Sequence, residues 1–254
     1  MIFREWINER TINILKVNKI KKVFEKVPGN TPESIATYVV NALNAFGIKT
    51  ESGKATYISG PMTNLPDFNW PVFIYAEKYI DGKVFNPANP HGTIIKKPKT
   101  SFNWGDYMTE DIYDLVKCNS IVILPGYSKS TGAKTEISIG EKILNVKSKE
   151  LKKKIGNEKY KLFMNDVKNQ YIKDGFEKDY KTIIEPMLSA KTEKEASSAV
   201  KTYIPSDDEN EQFNEGIVDS IKDFGEYINK KSLKSVLSLI GLIFKKKGLK
   251  KIVR

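Results

Sequence analysis

Leu124-Pro125-Gly126-Tyr127-Ser128-Lys129-Ser130-Thr131-Gly132-Ala133-Lys134-Thr135-Glu136 is the stretch whose reading decides the fold. The apolar run 120–124 that leads into it has the make-up of a buried strand. Pro125 and Gly126 end that strand, and the small residues from Ser128 to Gly132 open a helix. Tyr57-Ile58-Ser59-Gly60-Pro61-Met62 repeats the pattern: a short apolar strand breaks into a glycine-containing turn. Two such junctions meet at one edge of a parallel sheet, where strand ends and helix N-termini converge on ligands.

Working outward, strands are expected at 55–59, 84–86 and 120–124. Helices alternate with them at 70–80, capped by Asn69, at 105–117, and at 132–144. Alternation of this kind predicts an α/β fold, a Rossmann-like parallel sheet flanked by helices. Two helices precede the sheet. One lies within 2–27, with Ile12, Leu15, Ile20, Val23, Phe24 and Val27 as its apolar stripe. The next starts at a Thr31 cap with Pro32 in the first turn and stops at Gly47. After the central region the character changes. Residues 145–154 are too polar for a buried parallel strand, and helices are expected at 148–174, 180–190 and 193–203. An acidic break follows at 205–215, then an amphipathic tail ending in Lys245-Lys246-Lys247, Lys250 and Lys251. Three regions result: a helical N-terminal extension (1–54), an α/β domain (55–146) and a lysine-rich helical C-terminal region (147–254).

The formal net charge of +11 over 254 residues suits an anionic partner: a nucleotide, a nucleic acid or an acidic membrane surface. Solvated lysine faces explain it equally well. For the tail, packing on the domain or in a dimer is favoured over contact with a membrane surface or nucleic acid. The single cysteine, Cys118, rules out an intrachain disulfide and points to a reducing, cytoplasmic setting. It reads as a small core residue. His91 is the only histidine, so a histidine-rich metal site is not expected. No secretory signal is visible at the N-terminus. The best apolar run, Val236 to Phe244, is about half of what a bilayer-spanning helix needs.

On physical grounds, Ser128, Ser130, Thr131 and Gly132 form an anion cradle at a helix start, or an ordinary capped loop. Glu136, one turn in, either reaches back over the sheet edge as a nucleophile or complements the helix dipole. Asp111 lies mid-helix, where aspartate is a poor choice; surface exposure is the commoner reason. Trp6, Trp70 and Trp104 read as packing residues.

These motifs together, Tyr57-to-Met62, Phe85-Asn86-Pro87, the Trp104-to-Asp111 helix start and Leu124-Pro125-Gly126 followed by Ser130-x-Gly132-Ala133-x-x-Glu136, resemble the nucleoside 2-deoxyribosyltransferase-like superfamily over about a third of the chain, 55–144. The resemblance is strongest to its phage and bacterial branch. That superfamily also holds 2'-deoxynucleoside 5'-monophosphate N-glycosidases. The resemblance implies that Glu136 attacks C1' of a deoxyribose, that Asp111 assists the leaving base or the sugar hydroxyl, and that Tyr57 orients the nucleophile. It implies ligand contacts at Ser59, Gly60, Met62, Asn86, Ser128, Ser130 and Gly132, with Gly60 letting the ligand approach the backbone. Transferases of free nucleosides tend to carry an aspartate six residues before the nucleophile, and the monophosphate hydrolases a serine. Ser130 stands there in this chain. A hydroxyl beside a helix N-terminus welcomes a phosphate that an aspartate would repel.

The expected function is therefore N-glycosidic bond cleavage of a deoxynucleoside 5'-monophosphate with no metal or organic cofactor. The alternatives are nucleoside 2-deoxyribosyl transfer, or a non-catalytic nucleotide- or DNA-binding phage protein on the same fold. The resemblance also implies a homo-oligomer, acting in the host cytoplasm if the protein is phage-encoded.

Overall fold

Four parallel strands, β1 (Ala55–Ser59), β2 (Lys83–Phe85), β3 (Cys118–Ile123) and β4 (Lys149–Glu150), form one sheet in the order β2-β1-β3-β4. The computed structural model describes residues 16–26, 31–48, 54–63, 65–88, 104–145 and 148–200. The chain runs outward from β1 to β2 through helix α3 (Trp70–Tyr79). It returns through α4 (Trp104–Leu115) to β3 on the other side of β1. Helix α5 (Thr131–Leu144) then leads to β4. The order reverses between β1 and β3, and the C-terminal ends of strands at such a reversal are where open α/β sheets bind ligands. Ser59 pairs with Ile123 there, and the Leu124 N–H donates to the Ser59 carbonyl at 2.9 Å.

Both faces of the sheet are covered, which explains the nearly continuous apolar character of β1 and β3. Ala55 and Tyr57 of β1 and Cys118, Ile121 and Ile123 of β3 point to one face. That face is covered by helix α1 (16–24), α2 (Pro32–Ala45), α4 and α5. Ile58, Val122 and Leu124 point to the other. It is covered by α3, α7 (Asn157–Lys173), a π-helical turn (Tyr180–Ile184), α9 (Glu185–Ser189) and α10 (Glu193–Ala199). The short helices α6 (Leu151–Ile155) and α8 (Glu177–Asp179) link these elements. Two buried tyrosines on this second face are satisfied by backbone: the Tyr160 hydroxyl donates to Leu188 O at 2.7 Å and that of Tyr171 to Pro66 O at 3.2 Å.

The α/β architecture agrees with the sequence reading, and so do the Thr31 cap, whose hydroxyl accepts from Ser34 N–H, and the left-handed Gly47 (φ 66°). Three local expectations are corrected. Residues 145–154 do contain a strand: β4 is a two-residue edge strand with both residues exposed, so polarity is no obstacle. The helix expected over 148–174 is split, because Gly156 adopts φ 83° and separates α6 from α7. Asn69 does not cap α3 with its side chain. It sits at φ 58° and its Nδ2 donates to Pro61 O at 2.8 Å. Asp67 and Phe68 are also left-handed, at φ 47° and 49°. This strained turn ties the start of α3 to the exit of β1. The expectations for residues before 16, the loop 89–103 and the basic tail beyond 200 lie outside the described residues. No helix among the described residues is long and apolar enough to cross a membrane.

Candidate active site

Period-two alternation places Tyr57 and Ser59 of β1 on the same face as α4 and α5, which carry Asp111 and Glu136. Helix α5 starts at Ser130, whose Oγ accepts from the Ala133 N–H at 3.1 Å. One turn further in, Glu136 turns back toward the sheet and is buried, with 7 % exposure. The Ser59 hydroxyl donates to Glu136 Oε2 at 2.7 Å and lies 3.3 Å from Ala133 O. The strand end and helix α5 are thus joined through one side chain.

Burial raises the Glu136 carboxyl to about 7, against the opposing influence of Ser59, Asp111 and Tyr57. Asp111 is pushed well above the usual carboxylate range, first by burial and then by the charges of Glu136 and Asp114. The two carboxyls act on each other: Asp111 favours the anion of Glu136, and Glu136 favours the acid of Asp111. The Tyr57 hydroxyl is buried beside both and is raised well above its ordinary value, by burial first and then by Asp111 and Glu136. Among the described residues it is the one buried side-chain polar atom with no hydrogen bond of good geometry. Its proximity still favours both carboxylate anions. Glutamate, aspartate, tyrosine and serine from three separate elements therefore converge where the sheet reverses its order.

The remaining predicted positions divide. Gly132 begins α5 in open surroundings: a Cβ there would meet only Ser130 Oγ, at 3.8 Å. Gly60 does not leave space for a ligand on its side-chain side. A Cβ there would stand 2.7 Å from Leu124 Cβ, so this glycine lets β1 and β3 close on each other. Asn86 is engaged within the fold, its Nδ2 donating to Glu77 Oε2 at 2.9 Å and to Phe73 O at 3.3 Å. Met62 is half-buried against the second-face core. Ser128 is drawn away from the expected anion cradle: its N–H donates to Glu193 Oε1 at 3.0 Å and its hydroxyl contacts that of Ser197. Gly126 N–H donates to the other oxygen of Glu193, also at 3.0 Å. The first part of the cradle is filled by the protein's own chain, whereas Ser130 and Gly132 stay at the helix start.

Glu193 had no signal in the sequence, because one glutamate in a polar, helical stretch looks like any solvated residue. Cys118 is buried, and its thiol is pushed up to about 12, chiefly by burial, in keeping with a packing role.

Residues 54–147 match a family model described as a domain of unknown function, DUF4406. The match covers strands β1, β2 and β3 and the four convergent residues, and leaves out edge strand β4 and the C-terminal helices that bring in Glu193. Comparison with curated proteins and with solved structures gave no match.

Proposed function

We propose that this protein is an enzyme that cleaves the N-glycosidic bond of a deoxynucleoside 5'-monophosphate, with Glu136 as nucleophile. The observation that carries the reading is the meeting of buried Glu136 and half-buried Asp111 with Tyr57 and Ser59, at the sheet's point of reversal. A carboxyl held near 7 is substantially ionised at neutral pH yet poorly solvated, which favours attack on carbon.

In the proposed reaction a Glu136 oxygen forms a bond to C1' as the C1'–N bond breaks. The bonding electrons leave with the base, which takes the proton held by Asp111. Water then attacks C1', its proton returns to Asp111, and Glu136 leaves as a carboxylate. The products are free base and deoxyribose 5-phosphate. Ser59 holds the nucleophile's second oxygen. The phosphate would meet Ser130 and Gly132 at the start of α5, where helix N–H groups and the dipole favour an anion. The sugar carries its own reactive carbon, so the chemistry calls for no cofactor. We place the activity in the cytoplasm and expect the chain to act as a homo-oligomer.

Chromatography of dNMPs incubated with the full chain tests the proposal. It expects release of free base from at least one dNMP and none from the Glu136→Gln variant. Folded protein that releases no base from any dNMP or deoxynucleoside would overturn it. Transfer of the sugar to an added second base, in place of hydrolysis, would move the assignment to a deoxyribosyltransferase.

A further inference from the structure

The loop between β3 and α5 is gripped from outside the matched domain. Gly126 N–H and Ser128 N–H each donate to one oxygen of Glu193, at 3.0 Å. Ser197 Oγ, one turn along α10, donates to Glu193 Oε1 at 2.6 Å. Hydrogen bonds to a carboxylate are about twice as strong as neutral ones, and this carboxylate has three donors. The apolar contact is equally close. Gly126 sits at φ 81°, and a Cβ there would stand 2.8 Å from Val200 Cγ2 and 3.0 Å from Met187 Sδ. The C-terminal layer and the loop interlock so tightly that only glycine fits.

The gripped loop leads straight into the candidate site. Its last residue, Ser130, starts α5 by accepting from Ala133 N–H. The Ala133 carbonyl lies beside the Ser59 hydroxyl, which donates to Glu136. An unbroken path of contacts runs from Glu193 through the loop and the cap to the carboxylate read as the nucleophile.

We infer that Glu193 is a positioning residue: the C-terminal helix α10 holds the β3–α5 loop so that Glu136 keeps its place against Ser59, and the segment that matches the DUF4406 model is not sufficient by itself. The inference rests on the proposed role of Glu136. It assigns the C-terminal layer a part in the site as well as in the core.

The test uses the full chain carrying Glu193→Ala and Glu193→Gln. Glu195→Gln serves as control, since Glu195 sits on the same helix but accepts from Lys191 N–H at 2.9 Å and does not contact the loop. On the best dNMP, Glu193→Ala is expected to lower kcat by roughly tenfold to a hundredfold, the scale of a slightly misplaced catalytic group. KM should change less, and the acidic limb of the pH–rate profile should move to lower pH as water reaches Glu136. Glu193→Gln keeps one acceptor and should fall between wild type and Glu193→Ala, and Glu195→Gln should match wild type. A carboxyl NMR titration of Glu136, with hydrogen exchange at Gly126 and Ser128, reads the same coupling without turnover. Glu193→Ala should lower the Glu136 midpoint and speed exchange at both amides. If wild type releases no base, the proposed reaction fails and the titration alone decides the coupling. If Glu193→Ala folds but leaves both kcat and the Glu136 titration as in wild type, Glu193 is only a tether and the inference is wrong. Should Glu193→Ala fail to fold, Glu193→Gln decides by the same two readouts.

Discussion

Tyr57 on one face of the sheet and Tyr160 and Tyr171 on the other are buried in opposite ways. On the C-terminal face, Tyr160 and Tyr171 donate to the carbonyls of Leu188 and Pro66, as buried hydroxyls normally do. On the other face, Tyr57 is buried beside two carboxyls with no bond of good geometry. One face follows the rules of a stable core. The other gathers an unsatisfied hydroxyl, a raised glutamate and a raised aspartate at one sheet edge. Departures from stable packing concentrated at one place are the usual mark of a functional site.

The comparison breaks most decisively at Glu136. Glu136→Gln is expected to cut base release by about a thousandfold or more, with the fold intact by circular dichroism. Retained turnover would remove the functional meaning of the difference between the faces. Next in size is Phe163→Ala on the stable face. Phe163 is fully buried, and its truncation should cost roughly 3–5 kcal/mol in urea denaturation. A cost below about 1 kcal/mol would show that α7 is peripheral to the core.

The pH dependence of stability separates the faces further. Glu136 is raised in the folded protein from an ordinary 4.5 to about 7, so between these values the unfolded chain ionises while the folded one holds its proton. Stability therefore falls as pH rises through this window, by at most roughly 3 kcal/mol from this group, and Asp111 pushes in the same direction. Denaturation at pH 5 and pH 8 should show the loss in wild type and a smaller one in Glu136→Gln. Equal slopes in both proteins would contradict the burial of Glu136.

The smallest effects carry opposite signs. Tyr57→Phe removes an unsatisfied hydroxyl and should leave stability unchanged or raise it by about 1 kcal/mol, while slowing base release. Tyr160→Phe leaves Leu188 O without its partner and should cost about 1 kcal/mol. Matching signs in thermal denaturation would erase the distinction.

Much of the fold was legible because β1 and β3 are buried on both faces and so read as apolar runs closed by Gly and Pro. Strand β4 was not, since an exposed edge strand of Lys149 and Glu150 carries no apolar signal. The Thr31 cap could be read locally, whereas the left-handed turn at Asp67, Phe68 and Asn69 is imposed by tertiary contacts such as Asn69 to Pro61. Glu136, Asp111 and Tyr57 were nominated by motif, and their meeting depends on strand order and helix packing. Asn86 and Gly60 were nominated the same way, but the fold engages them in Glu77 and Leu124. Glu193 was beyond reach, because its partners lie 65 and 67 residues away in sequence.

The most direct test of the central claim is mass spectrometry of the full chain quenched during incubation with its preferred dNMP. Glu136 as nucleophile predicts a deoxyribosyl 5-phosphate adduct on the peptide that carries Glu136, absent from Glu136→Gln. Release of base accompanied by an adduct on another residue, or undiminished release by Glu136→Gln, would contradict it.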